Sequence, residues 1–503
     1  KIKCYNKTHM ADVKEIIDLI EGGATKKDVD LITAAFAFAE RAHDGQKRMS
    51  GEPYFLHVFE TAKILAKQGM DAMTIAAGLM HDVLEDTETT EAEMEKEFGE
   101  EIVFLVRGVT KLGTVKYRGH ERHIESLRKF FIAMANDLRV VIIKFADRLH
   151  NLRTLEHHSK EEKRHRIALE SIELYAPLAN RLGMGKLKGE IEDAAFPYAF
   201  PKESAMIETL LKDRQHEYEH NLVLIKILLD KKLKESDVKF SEISHRVKTR
   251  YSLWKKMQRY DMDIDKIYDV IALRVVVDTV EDCYRVLGIV HSLWRPVLGR
   301  IKDYISLPKP NGYRSLHTTI FAGENGFAEI QIRTHEMHAE AAYGIAAHFV
   351  YKEGANKKKK INDNLKFNWL EELTDLNYNP DKPASFFEHL KMDFFSDRIF
   401  ILTPKGDVVD LPEYSTTIDF AYSIHSDIGD HLSGAKINGK LVPIFSTLKN
   451  GDVVEIITKK DASPTRKWLD NTKTNLAKKH VRAYLEKNDI SLFNRLKSLG
   501  GYK

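Results

Sequence analysis

The 503-residue sequence has almost no cysteine and no long hydrophobic run. Its two cysteines, Cys4 and Cys283, are too few for a disulfide framework or a cysteine-based zinc site. No apolar run approaches the ~20 residues of a membrane-spanning helix, and no signal peptide is visible. These absences argue against a membrane protein and predict a protein of the reducing cytoplasm.

Charge of one sign is also lacking. Lys and Arg number 78 against 75 Asp and Glu, a formal net charge of +3, so global charge gives no argument for nucleic-acid binding. The length predicts about three or four domains. We leave residues 1–10 out of the fold prediction because His9-Met10 resembles a cloning scar before a native start.

Residues 11–200 are predicted to form an all-α domain. Apolar residues recur there at the spacing of amphipathic helices, and the alternation typical of strands is nearly absent. The clearest helical segments are ITAAFAFAERAH, VFETAKILAKQ, MTIAAGLMHDVLED, IESLRKFFIAMAND and RIALESIELYAPLANRLG.

A dense polar cluster interrupts this apolar pattern. The stretch LMHDVLEDT, residues 79–87, contains His81, Asp82, Glu85 and Asp86. In a helix, the four-residue spacing brings His81 over Glu85. It likewise brings Asp82 over Asp86. A solvated helix end would explain the cluster as well as a metal site does, so the choice depends on the rest of the domain.

Two further polar residues break the helical faces, His57 in GEPYFLHV and Asp147 in KFADRLHNLRT. Together with His81 and Asp82 they offer nitrogen and carboxylate ligands from separate helices, a set that suits a divalent metal ion. Such an ion lowers the pKa of a bound water and polarises a phosphoryl oxygen. Alone, His57 also fits a hydrogen-bonded core histidine.

The remaining acids of the cluster, Glu85 and Asp86, would orient a water or act as acid and base beside such a metal. The simpler explanation for Asp147 is an ion pair with Arg148 or Lys144. The combination of two histidines and several acids in one helical domain favours the metal site.

The pattern of apolar residues changes in the middle third of the chain. Residues 201–240 are predicted as a helical linker, whereas 241–352 mix strand-like and helical segments. YDVIALRVVVD and FAEIQIRT are the predicted strands, and DCYRVLGIVHSLW is the helix between them. This pattern predicts an α/β sheet domain.

Basic residues and two acids stand out in this domain. HRVKTRYSLWKKMQR is strongly basic, and the loop KPNGYRSLH combines basic residues with the aromatic Tyr313. Such a set fits a polyphosphate nucleotide whose base stacks on the ring. Asp269 and Glu329, near the starts of the strands, could hold Mg²⁺. A solvated helix face is the alternative for the helix charges, but it does not explain the loop.

No phosphate-binding loop of the Walker type supports these acids. The nearest match, GAKINGKL at 434–441, lacks the final Ser or Thr, and its Asn438-Gly439 pair predicts a tight hairpin turn. Side chains must therefore hold the phosphates.

The last third is predicted as a linker, a small β module and a helical tail. Residues 353–395 are the linker, and the basic run at 357–360 fits a solvated segment better than a nucleic-acid clamp. Residues 396–460 show short strands and turns, with TIDFAYSIHSDIG placed among them. Residues 461–503 begin with one or two basic helices.

The sequence motifs of the first domain resemble those of the HD-superfamily phosphohydrolases. GQKRMSGEPYFLHV, LMHDVLEDT and KFADRLHNLRT are similar to the hydrolase domain of long RelA/SpoT homologues, which cleave the alarmone (p)ppGpp. The resemblance implies a metal of the Mn²⁺ type at this site. It also implies a guanosine nucleotide pocket lined by Arg48, Ser50, Asn151 and Thr154. Met49 departs from the family, which often has a second basic residue there.

Residues 245–350 resemble the (p)ppGpp synthetase domain, a nucleotidyltransferase-like fold. The resemblance places Arg246 and Arg274 beside the ATP adenine. It implies that Lys248 and Lys255 contact phosphates and that Tyr313 stacks on the guanine of GDP or GTP.

The same resemblance makes Asp269 and Glu329 the Mg²⁺ ligands, with Glu329 also activating the acceptor 3′-hydroxyl. The tetrad at 300–303, RIKD, is the basic version typical of bifunctional members. Further positions that match the family's nucleotide pocket are Lys302, Lys309, Asn311, His317, Gln331 and Arg333.

Residues 396–460 resemble a TGS domain, a β-grasp module. In ribosome-bound members of the family this module meets the acceptor end of deacylated tRNA, and His425 matches the contacting residue. From the residues alone, a turn-capping histidine explains His425 equally well. The chain stops before the Cys-rich and ACT-like modules that usually follow, so we expect a truncated chain or one that lacks them.

The resemblance implies a cytoplasmic, bifunctional enzyme of the stringent response that makes (p)ppGpp from ATP and GDP or GTP and also hydrolyses it. A hydrolase with the synthetase pocket as a nucleotide sensor is one alternative. A non-catalytic regulator that binds tRNA or the ribosome is another. Because two opposing activities would waste ATP, we also expect the sites to be coupled, with the helices between about 195 and 245 as the transmitter.

Overall fold

The computed structural model describes residues 11–20, 23–113, 133, 136–309, 311–322, 326–347 and 398–499. The chain forms two compact units, residues 1–376 and 377–503. Within the described residues, no helix combines the length and apolar character needed to span a bilayer. Four predicted features lie wholly or mostly outside the described residues: the cloning scar at 1–10, the helix at 124–137, the linker at 353–395 and its basic run at 357–360.

The first part of unit one is helical, as the apolar spacing predicts. Its helices are α1 Val13–Ile17, α2 Lys26–Ala42, α3 Phe55–Lys67, α4 Ala72–Leu79, α5 Val83–Asp86, α6 Glu91–Phe98, α7 Glu100–Gly113, α8 Leu138–Arg153, α9 Glu161–Glu170, α10 Ala176–Arg181 and α11 Gly185–Ala199. Thr25 and Thr90 begin α2 and α6 with capping boxes. Helices α3, α4 and α8 are mostly buried and form the centre of this domain.

The polar cluster does not form one helix, which corrects the predicted helical stacking. Helix α4 ends at Leu79 and α5 begins at Val83, so His81 and Asp82 lie in the turn between them. The apolar residues of α4 are buried, and the turn follows directly. His81 is completely buried, and its Nδ1 lies 2.8 Å from the carbonyl oxygen of Gly78. The turn therefore directs the imidazole into the domain.

Helix α12, Pro201–Glu235, leads into a mixed sheet of six strands. Its strands are β1 Phe240–Val247, β2 Ile271–Val277, β3 Arg295–Pro296, β4 Lys302–Asp303, β5 Leu316–Phe321 and β6 Phe327–Thr334. The order is β1-β2-β6-β5-β3, with β4 paired to β5. Among the described strands of this sheet, β2 and β6 run parallel and the other pairs are antiparallel.

Three helices complete this domain, α13 Arg250–Gln258, α14 Val280–Leu293 and α15 His335–Tyr343. The predicted α/β class is confirmed. The alternative of a solvated helix face applies to only part of the basic stretch 245–259, because its first residues belong to strand β1. Arg246 is therefore a strand residue.

The two faces of the sheet differ in character. Leu273, Val275, Ile330 and Ile332 belong to an apolar core together with residues of α12 and α14. Side chains alternate along a strand, so the intervening residues lie on the opposite face. The register opposes Arg274 to Gln331 on β6, and Gln331 to His317 on β5. The opposite face is therefore polar across three strands.

The helical domain and the sheet domain touch closely where α10 turns into α11. The Leu182 carbonyl accepts a hydrogen bond from the Ile345 amide at 3.0 Å. The Asn180 carbonyl accepts another from the Asn311 side chain at 3.1 Å. Gly344 has φ +57°, and a Cβ added there would collide with the backbone of residues 182–184.

Replacing Gly344 by alanine is therefore expected to destabilise the protein. The left-handed backbone and the backbone collision together should lower the free energy of unfolding by about 2–4 kcal/mol. Urea titration measures this change. Gly288→Ala on α14 is the matched control, because a Cβ there meets nothing within 4 Å. That variant should be neutral or slightly more stable, and equal midpoints for the two variants would contradict the close backbone packing.

Unit two contains a small β module and two helices after it. Its strands are β7 Arg398–Leu402, β8 Val408–Pro412, β9 Leu432–Ile437, β10 Lys440–Val442 and β11 Val454–Thr458. Its helices are α16 Thr417–Ile424, α17 Ser426–Asp430, α18 Arg466–Asn471 and α19 Asn475–Leu499. The predicted Asn438-Gly439 hairpin is confirmed, since both residues have positive φ between β9 and β10.

The segment TIDFAYSIHSDIG corrects the prediction of strands and turns, because it forms α16 and α17. Thr416 and Asp419 form a capping box at the start of α16. Asp419 is buried and also accepts hydrogen bonds from the backbone amides of Lys473 and Thr474. The β module and its helical tail are thus joined through one carboxylate.

Candidate functional sites

The first site is a buried group of histidines and acids between α3, the α4–α5 turn and α8. His57, His81 and Asp147 each offer a ligand atom, and these atoms lie within 4.8 Å of one another. Asp82 joins them, with its Oδ2 3.5 Å from His57 Nε2 and 3.2 Å from His81 Nε2. The structure brings together all four residues predicted as metal ligands.

The donor atoms of this group fit a metal ion. His81 Nδ1 faces the Gly78 carbonyl, which can only accept a hydrogen bond, so Nδ1 carries a proton. His81 Nε2 is buried and, although Asp82 Oδ2 lies 3.2 Å away, it makes no well-aligned hydrogen bond among the described residues. In a neutral ring it points a lone pair toward the carboxylates, an arrangement that a cation would satisfy.

Electrostatics at the cluster agree with this interpretation. Burial lowers the pKa of His81, but the charges of Asp82 and Asp147 outweigh burial and raise that pKa to about 10. Burial raises the pKa of Asp147, yet Lys144 and the histidines hold it well below the usual value. The site therefore has a strong preference for positive charge, which a proton or a metal ion can supply.

Residues around the ligands orient them. Lys144 Nζ lies 2.7 Å from Asp147 Oδ2, so the ion pair proposed as the simpler explanation exists beside the histidine contacts. Arg148 instead pairs with Glu170 at 3.2 Å. His57 Nδ1 is 2.7 Å from His150 Nδ1, and burial together with His57 and Arg48 lowers the pKa of His150 to about 3.

Glu85 and Asp86 lie on α5 at the exposed edge of the cluster. Burial and the charge of Asp82 raise the pKa of Glu85, as suits an acid–base group. The hydroxyl of Tyr54 lies 2.8 Å from Asp82 Oδ2 and 2.7 Å from Asp86 Oδ2. Tyr54 was not predicted, although its place three residues before His57 could have indicated it.

A cavity of about 380 Å³ opens beside Asp147. Arg48, Ser50, Asn151 and Thr154, predicted to line a guanosine pocket, all border it. Arg48 donates hydrogen bonds to the side chains of Asn151 and Thr154. Sequence reasoning missed the wall formed by α9 and the segment before it, whose basic residues are His157, His158, Lys163 and Arg166.

The second site lies on the polar face of the sheet. Asp269 precedes β2, whose Ala272 is paired with Glu329 on β6, so the two acids lie at the same end. The Asp269 carboxylate accepts hydrogen bonds from Lys248 Nζ at 2.7 Å and from Lys256 Nζ at 2.6 Å. Burial raises the pKa of Asp269, but the lysines outweigh it and lower that pKa to about 2.

A lysine outside the predicted set, Lys256, also belongs to this site. Lys255, which the resemblance places at a phosphate, is exposed, whereas its neighbour Lys256 is half-buried and bonds to Asp269. A helix turns about 100° per residue, so two neighbouring lysines point in different directions from the helix axis. Lys256 is therefore a further lysine of the site beside Lys248, and the phosphate contact of Lys255 stays a prediction.

Glu329 is surrounded by donors. Its Oε1 lies 3.2 Å from His317 Nδ1, and its Oε2 accepts from Gln331 at 2.8 Å. His317 Nε2 in turn lies 2.8 Å from the Tyr313 hydroxyl. Burial raises the pKa of Glu329, but His317 outweighs burial and lowers that pKa, so both acids of the site favour the charged form. This donor set suits a divalent ion.

The other predicted nucleotide residues lie on the polar sheet face, on β4 or in the loop before β5. Arg246, Arg274 and Arg333 share the polar face on β1, β2 and β6. Lys302 on β4 lies opposite His317, and Lys309 Nζ is 5.3 Å from the Tyr313 ring centre. Asn311 contacts the helical domain through Asn180, as described above. No single element brings these residues together; the sheet register does.

His425 in unit two is exposed and caps α17, with its Nδ1 accepting from the Asp427 amide at 3.1 Å. The capping explanation is therefore met in the structure, and it leaves the ring accessible for a further contact.

Family models match three parts of the chain. Residues 35–185 match an HD domain, residues 245–356 match a region found in RelA/SpoT proteins, and residues 399–458 match a TGS domain. The first covers the histidine–acid cluster, the second covers the polar sheet face, and the third covers the β module.

Curated relatives match over most of the chain. A GTP pyrophosphokinase of Myxococcus xanthus is 45% identical over 463 residues, which is 91% of this chain and 61% of that protein. A guanosine-3′,5′-bis(diphosphate) 3′-pyrophosphohydrolase of Aquifex aeolicus is 45% identical over 461 residues, 91% of this chain and 65% of that protein. The chain thus spans less than two thirds of the length of these relatives. The order of the three domains and this level of identity show that the chain belongs to the RelA/SpoT family.

Proposed function

We propose that this chain is a bifunctional alarmone enzyme of the stringent response. It transfers the β,γ-pyrophosphoryl group of ATP to the 3′-oxygen of GDP or GTP, and it hydrolyses the resulting (p)ppGpp to GDP or GTP and pyrophosphate. The observation that carries the proposal is that one chain holds two separate acid clusters, each with its charged ligands intact. The relatives' names include both activities.

In the hydrolase site, His57, His81, Asp82 and Asp147 would hold a metal ion, which we propose to be Mn²⁺. The bound ion would supply a water of lowered pKa and polarise a phosphoryl oxygen. Glu85 and Asp86 would orient that water and move its proton. The basic cavity beside Asp147 would bind the guanosine nucleotide, with Arg48, Ser50, Asn151 and Thr154 as its contacts.

In the synthetase site, Asp269 and Glu329 would hold Mg²⁺, which neutralises charge on transferring phosphoryl groups. Glu329 would take the proton of the acceptor 3′-hydroxyl. Lys248 and Lys256 would move from Asp269 to the phosphates, and Tyr313 would stack on the guanine. The further contacts are Arg246, Arg274, Lys302, Lys309, Asn311, His317, Gln331 and Arg333.

The similarity of the β module to a TGS domain supports a proposal for a third role. We propose that this module meets deacylated tRNA on the ribosome, with His425 as a contact residue, and that the enzyme acts in the cytoplasm where these partners occur. A reporter label at His425 should respond to deacylated tRNA bound to ribosomes and not to free nucleotide.

One experiment distinguishes the bifunctional enzyme from a hydrolase whose synthetase pocket only senses nucleotide. The Asp82→Asn variant is mixed with ATP, GDP and Mg²⁺, and the products are resolved by chromatography. We expect ppGpp to accumulate because its hydrolysis is disabled. A folded variant that binds nucleotide but forms no ppGpp would support the sensor and refute the synthetase.

Replacing Tyr54 by phenylalanine should slow ppGpp hydrolysis about 10–100-fold, as is usual when a residue behind a metal ligand is lost. The variant removes the Tyr54 hydroxyl, which contacts both Asp82 and Asp86. Metal content is expected to stay near that of the wild type. Tyr414→Phe, an exposed site in the other unit, is the control. An unchanged hydrolysis rate in Tyr54→Phe would contradict the orienting role.

A further inference from the structure

Three arginines lie on the polar face of the sheet, which they share with Glu329. Among the described residues, Arg246, Arg274 and Arg333 form no ion pair. Arg333 is only 3% exposed, and its Nε is buried with no hydrogen-bond partner. Burial, with the charges of the other two arginines, lowers the pKa of Arg333 to about 10. Such a cluster of guanidinium groups can bind an anionic ligand through charge-assisted hydrogen bonds.

One side chain outside the predicted set contacts this cluster. His338, on helix α15, has its Nδ1 3.1 Å from Arg333 Nη2. A guanidinium can only donate, so His338 Nδ1 must be an unprotonated acceptor. Burial, followed by the charges of Arg333 and Arg274, lowers the pKa of His338 to about 4.

The chain geometry explains how His338 reaches this position. Strand β6 ends at Thr334, whose hydroxyl caps α15 by accepting from the Met337 amide. His338 therefore follows Arg333 by one helical turn and the cap. The structure thus gives the Arg333 guanidinium a partner on the helix that follows its own strand.

We propose that His338 is a positioning residue of the synthetase site, which fixes the Arg333 guanidinium for a phosphate of the bound purine nucleotide. The His338 imidazole accepts a hydrogen bond from one N–H of the Arg333 guanidinium. Other N–H groups of that guanidinium can then donate to phosphate oxygens of the nucleotide. A guanidinium that is already held in place loses less conformational entropy when it binds a phosphate than a mobile one does. This inference rests on the proposed synthetase function, and it adds a residue that does not itself touch the nucleotide.

The test compares His338→Ala, His338→Asn and the control His335→Ala, which lies on the same helix but is exposed. Calorimetry measures binding of Mg–ATP and of GTP, each without the other substrate. Steady-state assays give kcat and KM for both nucleotides. Hydrolysis of ppGpp, which uses the other site, reports on folding.

We expect His338→Ala to weaken binding of one nucleotide and to raise its KM about 10-fold, the usual size of an effect on an orienting partner. The other KM and the hydrolysis rate should stay unchanged. His338→Asn should recover most of the affinity, because its amide oxygen can accept the same hydrogen bond. His335→Ala should behave as the wild type.

The role of His338 is overturned if His338→Ala binds both nucleotides as tightly as the wild type, or if asparagine gives no recovery over alanine. A wild-type protein that binds nucleotides but makes no (p)ppGpp contradicts the proposed function instead, while the affinities still decide on His338. A wild type that binds neither nucleotide overturns both.

Discussion

Asp82→Asn is expected to reduce ppGpp hydrolysis at least ~10³-fold, because a metal centre supplies several kcal/mol of transition-state stabilisation. The substitution keeps the size of the side chain but removes the charge that Asp82 presents at 3.2 Å from His81 Nε2. Metal analysis of the purified protein should show loss of Mn²⁺ in parallel. Synthesis of ppGpp should continue.

Asp44→Asn is the control for this variant, since Asp44 is an exposed acid of the same domain. It should retain both metal and hydrolysis. Two results would contradict the metal site: full hydrolysis in Asp82→Asn, or equal rates for the wild type before and after metal is stripped without addition of Mn²⁺.

Glu329→Gln is expected to reduce ppGpp synthesis by about 10²–10⁴-fold, the range for loss of a general base. Glutamine cannot take the proton of the 3′-hydroxyl, and it offers a neutral oxygen to Mg²⁺ in place of a carboxylate. Hydrolysis should be unaffected, because the histidine–acid cluster belongs to the helical domain. The measurement is formation of labelled ppGpp from labelled ATP.

Glu336→Gln is the matched control, because Glu336 is exposed on α15, two residues after β6 ends. Its synthetic rate should equal that of the wild type. If Glu329→Gln kept a rate within a few-fold of that control, Glu329 would not be the base.

Much of the first site could be predicted because its residue types are chemically unusual. Histidines and acids have no simple use in an apolar helical core, so the combination of His57, His81 and Asp147 indicates a site even though each residue alone has a simpler explanation. Their local conformation could not be predicted, since the break between α4 and α5 depends on how α4 packs in the domain. The orienting contacts of Tyr54 depend on the same tertiary packing.

The second site shows a different limit. The alternation in FAEIQIRT predicts a strand with a polar face, and the register places Glu329, Gln331 and Arg333 on it. The choice between Lys255 and Lys256 depends on the phase of α13, which basic residues at adjacent positions do not reveal. The helix α16 was missed because its β-branched and aromatic residues are also typical of strands.

Coupling between the two sites stays a prediction. The contacts of Asn311 and Gly344 with the α10–α11 turn offer a route in addition to the helices between 195 and 245. A ligand can shift such an equilibrium only by its difference in affinity for the two states. A distance label on each domain, read with and without nucleotide, would reveal whether the junction moves.

The most direct test of two opposing sites on one chain follows the pyrophosphoryl group of γ-labelled ATP. With GDP, Mg²⁺ and Mn²⁺, the wild type should pass the label through ppGpp into free pyrophosphate. Asp82→Asn should stop the label at ppGpp, and Glu329→Gln should leave it in ATP while still cleaving added ppGpp. The account would be contradicted if Asp82→Asn released labelled pyrophosphate as fast as the wild type, or if either substitution abolished both reactions in a folded protein.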